Sequence, residues 1–271
     1  MGEDKIYINK DVLDFIMSSI GVPDLSEKDG ESIRLYTLDE AITAAANKAY
    51  TDMQLRTVKS SDDENTGKIK FVDRVAGLLE NYCKDNGIEY KKVKAEDITK
   101  VYKTIFIKEK YIGLIKELLK CNDKESYDNK FNEVCEAITE HYNDILSYGK
   151  AQKWVNMTVK YLYVFKMVKY LKDEDLTLFN HNDFLNNLHI PLDSYIYDAL
   201  SDINIKKSQS PWSNLNSAEY KGCVEDYRDK ILDEPPFKWE FGHWLAQKHK
   251  AEEKEYKAFK KKYGKYFGED N

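Results

Sequence analysis

Two residues with the chemistry for covalent catalysis stand out by their surroundings, Lys160 and Asp193. Lys160 lies in the stretch from Tyr148 to Leu171, which opens with a turn-like Tyr-Gly and then runs for about twenty residues without Gly or Pro. That stretch is rich in Trp, Val, Met, Leu, Tyr and Phe, and reads as a helix buried on most sides. The neighbours of Lys160 three and four residues away are Asn156, Met157, Tyr163 and Val164, so its own helix offers no carboxylate. A counter-charge must come from elsewhere, and the candidate is Leu188-His189-Ile190-Pro191-Leu192-Asp193. There a proline forces extended chain and the aspartate then opens a short helix. An amine beside a carboxylate is a minimal nucleophile with an electrostatic helper.

The elements that must position this pair are helical. Thr37-Leu38-Asp39-Glu40 is a capping-box pattern that predicts a helix running to about Val58. Lys59 to Lys68 is polar, glycine-containing and expected to be a loop. Phe71 to Asp85 has helical spacing closed by Asn86-Gly87, and a further helical region starts at Glu96-Asp97-Ile98 and reaches Leu119. A turn over Asn122 to Ser126 precedes the apolar face of Phe131 to Leu146. After the central stretch, Lys172 to Asn187 reads as a loop with one docked turn, 194–203 as a helix, and Lys206 to Asn216 as a loop holding Pro211-Trp212. A helix from Ser217 to Leu232 and a break at Asp233-Glu234-Pro235-Pro236 follow. Before Thr37, Lys10 to Ile20 suits a short helix and Gly21 to Gly30 a loop. No repeat of 20–50 residues is visible.

The chain has 271 residues, 33% charged and 13% aromatic, which suits a folded helical protein rather than a disordered one. No apolar run of about eighteen uncharged residues occurs, and the Met1 to Lys5 start lacks an apolar signal core, so a cytoplasmic protein without membrane contact is expected. Cys83, Cys121, Cys135 and Cys223 stand apart, which fits reduced thiols and gives no metal-ligand spacing. The formal net charge of −6 repels DNA at long range, so any phosphate-binding surface has to be local. The run from Lys248 onward is Lys-rich with interleaved Tyr256, Phe259, Tyr263 and Tyr266, and by itself describes a solvated helix face.

Gln152-Lys153, then Lys160 two helical turns on, then Ile190-Pro191-Leu192-Asp193, and finally Pro235-Pro236 with Glu240 and Trp244, resemble in order and spacing the archaeal 8-oxoguanine DNA glycosylases of the helix-hairpin-helix superfamily. The resemblance covers residues 145–245, less than half of the chain. It implies an all-α, two-lobed helix-hairpin-helix glycosylase-like domain over 1–271, with 248–271 as a Lys-rich tail. It implies Lys160 as the nucleophile on the sugar C1′ of an oxidised or modified purine nucleotide and Asp193 as the assisting carboxylate. It places Glu240 and Trp244 on the extruded base, one at its edge and one stacked. Glu240 stands where the family has an aspartate and Leu192 where it has a valine. Gly149, Lys150 and Lys153 are expected at the DNA backbone, with no cofactor or metal and a monomeric protein acting on damaged DNA.

The chemistry of the residues is compatible with that reading. Breaking an N-glycosidic bond develops positive charge on the sugar, which an ionised carboxylate stabilises, and Asp193 at a helix N-terminus is favoured as an anion. Burial lowers the pKa of Lys160 while a nearby Asp193 opposes the shift. Each residue also has a plainer explanation: an N-cap for Asp193, a lysine reaching to solvent for Lys160, core packing for Trp154, Trp239 and Trp244, and a helix end for Gly149. The competing function class is a non-catalytic helical binding module that keeps the same fold.

Overall fold

A computed structural model describes residues 37–53, 57–59, 68–90, 94–167, 184–206 and 208–263. The helix expected over Lys10 to Ile20, the loop before Thr37, the middle of the Lys59 to Lys68 loop and most of Lys172 to Asn187 lie outside these residues. Among the described residues the architecture is helical, with a single short hairpin of strands β1 (Thr57–Lys59) and β2 (Lys68–Lys70). No helix among them is long and apolar enough to cross a membrane.

Helix α1 (Leu38–Asp52) starts where the sequence predicts: Thr37 Oγ1 accepts from the Glu40 amide at 3.3 Å, and Glu40 returns the bond to the Thr37 amide at 3.0 Å. It ends before Val58 is reached, because Thr57-Val58-Lys59 pairs antiparallel with Lys68-Ile69-Lys70, Val58 opposite Ile69. The β-branched Thr57 and Val58 suit that pairing better than a helix end. Helix α2 (Phe71–Asp85) buries Phe71, Val75, Leu79 and Cys83. It stops at Gly87, whose φ of 65° allows Ile88 N–H to reach back to Cys83 C=O at 2.8 Å.

Helices α3 (Ala95–Phe106) and α4 (Ile112–Leu119) form one rod joined by a π-helical turn, Ile107–Tyr111, that periodicity did not reveal. The turn brings Tyr111 inward, where its hydroxyl meets Thr158 Oγ1 at 3.0 Å. Helix α5 (Lys124–His141) begins well ahead of Phe131, because Asp123 accepts from the Ser126 amide at 2.8 Å. A tight connection follows in which Asn143 and Asp144 take φ of 44° and 56°, a region open to Asn and Asp more than to other side chains. Then comes α6 (Tyr148–Met167), in which every residue from Gly149 through Val164 except Lys150 is buried.

Around α6 the other helices are laid. The alanine face of α1, Ala41, Ala45, Ala46 and Ala49, lets the two helices come close enough for Trp154 Nε1 to donate to Ala46 C=O at 3.0 Å. Trp154 stacks on Tyr111 with centroids 4.9 Å apart, so it belongs to the core. The remaining elements are α7 (Phe184–Asn187), α8 (Ser194–Asp202), a 3₁₀ turn (Trp212–Asn214), α9 (Ser217–Lys230) and α10 (Pro236–Tyr263). Buried residues from Leu38 to Phe241 form one contiguous core. Helix α10 buries Phe237, Trp239, Glu240, Phe241 and Leu245 in its first part, whereas residues 252–262 are exposed. Cys83, Cys135 and Cys223 are buried thiols and Cys121 is half-buried; none forms a disulfide.

Candidate active site

Helix α6 is apolar on most sides but carries a polar stripe, Gln152, Lys153, Asn156 and Lys160, all buried. Their spacing of three, four and seven residues puts them along one face. That face receives the extended segment Leu188 to Asp193. The Gln152 side chain grips it at two points, accepting from Leu192 N–H at 3.2 Å and donating to Leu192 C=O at 2.9 Å. Asn156 donates to Ile190 C=O at 3.1 Å. Pro191, which has no N–H to satisfy, sits between the two gripped residues.

So held, Asp193 caps α8: its Oδ1 accepts from the Ile196 amide at 3.0 Å. Its other oxygen, Oδ2, accepts from Lys153 Nζ and from Trp244 Nε1, both at 3.2 Å. The amine that meets Asp193 is therefore Lys153, where the sequence pointed to Lys160. The side chains of Lys153 and Asp193 keep 11% and 9% of their exposure. Trp212, from the 3₁₀ turn, lays its ring over the same ammonium with its centroid 4.8 Å from Nζ.

Lys160 lies deeper. Its ammonium pairs with Glu240 Oε2 from α10, and the two side chains retain 1% and 0% exposure. Phe241 covers Nζ at 4.2 Å from its centroid and Trp244 stands 5.9 Å off. Burial drives both members toward their neutral forms, pushing the Lys160 amine down and the Glu240 carboxyl up, each against the pull of its partner. Among the described residues Glu240 Oε1 has no hydrogen-bond partner. The lysine expected as nucleophile and the carboxylate expected at the base edge are thus each other's partners. Asp193 still acts on both across a longer distance.

Trp244, expected to stack on a base, donates its indole N–H to Asp193, with the Tyr195 ring set edge-on 5.7 Å away. The residues expected at the DNA backbone divide. Lys153 joins the site. Lys150 is half-buried, and burial lowers its pKa. Gly149 is in the first turn of α6 rather than in a turn before it, and its N–H is taken by Leu215 C=O at 2.9 Å. The amides of Lys150 and Ala151 are taken by Ser147 C=O at 3.0 Å each, so no amide of Gly149, Lys150 or Ala151 is left for a phosphate. Gly149 is needed for close packing: a Cβ there would lie 2.0 Å from Trp212 C=O.

A second polar cluster backs the aspartate-bearing segment. His189 Nε2 lies 2.7 Å from Asp128 Oδ1 and its Nδ1 faces Tyr220 OH at 3.1 Å, contacts that suit a neutral imidazole with its proton on Nε2. Arg228 clasps both oxygens of Asp128, at 2.8 and 3.0 Å. Burial holds His189 at a pKa of about 4. The two partners of Asp128 hold its pKa at about 2 against the opposing effect of burial. A cleft of about 580 Å³ opens beside this cluster between α5 and α9, floored by Phe131, His189 and Tyr220; none of Lys153, Lys160, Asp193 and Glu240 lines it.

Sequence reasoning missed Gln152 and Asn156 as the grip on the segment, Trp212 as the cover of the amine, and Lys153 as the partner of Asp193. The signal for the first two was present, because four polar residues on one face of an otherwise apolar helix must meet partners of their own. No protein-family model, curated protein or solved structure significantly matches the chain.

Proposed function

We propose that this chain is a DNA glycosylase with linked strand-nicking lyase activity, acting on an oxidised or modified purine nucleotide, with Lys153 as its nucleophile. The observation that carries the reading is the 3.2 Å contact between Lys153 Nζ and Asp193 Oδ2 beside two tryptophans, in a pair that keeps some exposure. Lys160 is a weaker candidate, because a sugar carbon cannot reach an amine that is engulfed and held by Glu240. Lys160 and Glu240 are assigned to the electrostatic floor of the site.

In this mechanism Lys153 loses a proton and its lone pair forms a bond to C1′ of the extruded nucleotide. The C1′–N bond breaks, and the base departs with the electron pair and takes up a proton. The positive charge that develops on the sugar is met by the Asp193 carboxylate, which the Ile196 amide, the Trp244 N–H and Lys153 hold in place. Opening of the sugar gives a protonated imine on Lys153, from which loss of a C2′ proton expels the 3′ phosphate. The resemblance to the archaeal 8-oxoguanine glycosylases supports the substrate class.

Borohydride trapping on lesion-bearing duplexes tests the reading. The parent protein forms a covalent adduct and Lys153→Gln forms none; a Lys153→Gln variant that traps at the parent rate overturns the assignment. The second reading, a binding module without catalysis, is favoured by the net charge of −6 and by the internally spent amides of Gly149, Lys150 and Ala151. It predicts no adduct with any lesion.

A further inference from the structure

We infer that Trp212 is a substrate-contacting residue of this site, forming the wall against which any group bonded to Lys153 lies; the inference rests on Lys153 as the reacting amine. The indole centroid is 4.8 Å from Nζ. A carbon joined to that nitrogen stands about 1.5 Å from it. With Asp193 at 3.2 Å from the same nitrogen, a carbon joined to Nζ stays within about 6 Å of the indole centroid.

The segment that carries the ring is held against α6. Ser147 Oγ donates to Ser213 C=O, Gly149 N–H donates to Leu215 C=O at 2.9 Å, and Gly149 leaves no space for a Cβ against Trp212 C=O. The backbone that carries Trp212 is thus bound to the first turn of α6, one turn before Lys153. The indole is half-buried, and among the described residues its Nε1 makes no hydrogen bond. Trp244 is placed differently: its N–H is committed to Asp193, Tyr195 abuts its ring, and Lys248 Nζ lies 5.4 Å from its centroid. Of the two tryptophans of the site, Trp212 is the one whose ring lies over the Lys153 ammonium.

The ligand class follows from the chemistry of that face. An indole accepts the C–H face of a sugar ring and holds a cation against its π-electrons. The deoxyribose before reaction and the protonated imine after it meet both requirements. The ammonium already rests there, and the charge stays in place when the nitrogen becomes an iminium.

The experiment compares Trp212→Phe and Trp212→Leu with the parent in two assays, after circular dichroism establishes that each folds. In borohydride trapping on a duplex with an abasic site, Trp212→Leu is expected to slow the reaction about tenfold at saturating DNA and Trp212→Phe less than threefold. A Trp212→Leu variant that traps at the parent rate overturns the inference. The second assay is free of DNA. Formaldehyde condenses with an amine and releases water, and cyanoborohydride delivers hydride to the imine, so peptide mass spectrometry reports the methylation of Lys153 against the exposed Lys254. Removing the indole is expected to lower methylation of Lys153 relative to Lys254 several-fold, because the iminium loses the face it rests on, and equal methylation in parent and Trp212→Leu overturns the inference. If the parent traps no DNA at all, the glycosylase reading fails, while the methylation ratio still decides whether the indole covers the amine.

Discussion

Lys153 Nζ and Trp244 Nε1 converge on one oxygen of Asp193, each at 3.2 Å. With the Ile196 amide on the other oxygen, the carboxylate has a donor for each of its tasks: capping α8, anchoring α10 and holding the amine. Trp244→Phe keeps the ring and removes the N–H donor. Trapping rates are expected to drop about tenfold, the size of one hydrogen bond to a charged group. Asp193→Asn retains an acceptor for the cap but loses the charge, so its rate is expected to fall by about a hundredfold or more, a larger effect than the loss of stability from leaving Lys153 without its counter-charge. Rates that match the parent in both variants would leave Asp193 with the cap alone.

Lys153 and Lys160 are separated by two measurements. Lys153→Gln is expected to abolish trapping, whereas Lys160→Gln is expected to reduce stability first, because it strands Glu240 in the core. The loss expected from breaking a buried ion pair is about 3 kcal/mol, read by urea denaturation. Replacing both partners together, Lys160→Met with Glu240→Leu, should recover most of that loss. A double variant no more stable than Lys160→Gln would show that the pair matters by something other than its buried charge.

The choice between those lysines marks where the sequence stopped being legible. Thr37 with Glu40 and Asn86 with Gly87 announce their helix ends because capping is local chemistry, complete within four or five residues. Lys153 and Lys160 are seven apart on one face, so spacing alone gives both the same access to Asp193; depth decides between them, and depth is set by α10, which arrives eighty residues later. The same limit hid the strand pairing that ends α1 and the π-turn before Tyr111, both fixed by tertiary partners. The early start of α5 is a different matter, since Asp123 and Ser126 are a local cap that the apolar periodicity of Phe131 onward drew attention away from.

Acid should loosen the protein through His189. Its imidazole is neutral and buried with a pKa of about 4, against about 6.5 in an unfolded chain. Above pH 6.5 neither state binds the proton and stability is unaffected. As pH falls from 6.5 to 4 the unfolded state gains a proton that the folded state refuses, so stability decreases by about 3 kcal/mol, and it levels off below 4. Asp128, held at about 2, adds a separate loss only below about pH 4, as its carboxylate is protonated. In His189→Gln the slope between pH 6.5 and 4 should flatten; an unchanged slope would assign the acid sensitivity to another group.

DNA affinity should depend on salt through few contacts. Each phosphate neutralised contributes about 0.9 to the slope of log affinity against log salt. Lys150→Ala should lower the slope by about one unit if that lysine meets a phosphate. Truncation after Lys248 removes the exposed, Lys-rich end of α10, with Tyr256 and Phe259 58% and 47% exposed, and should lower the slope by several units if that end tracks the backbone. Fluorescence anisotropy over a salt series reads both. Binding that does not vary with salt in either variant would remove DNA as the partner.

Gln152 precedes Lys153, and Leu192 precedes Asp193, so the amide that grips both backbone groups of Leu192 acts as a rung between two neighbouring pairs of residues. In effect one side-chain carboxamide on a helix takes the place that a neighbouring strand would have beside an extended residue. The separation of amine and carboxylate is then gauged by two peptide units and one carboxamide, and the loop that carries Asp193 travels with α6 through any breathing of the surrounding helices. The entropy of bringing the two groups together is lost when the chain folds, so a ligand arriving at the site meets the pair already assembled.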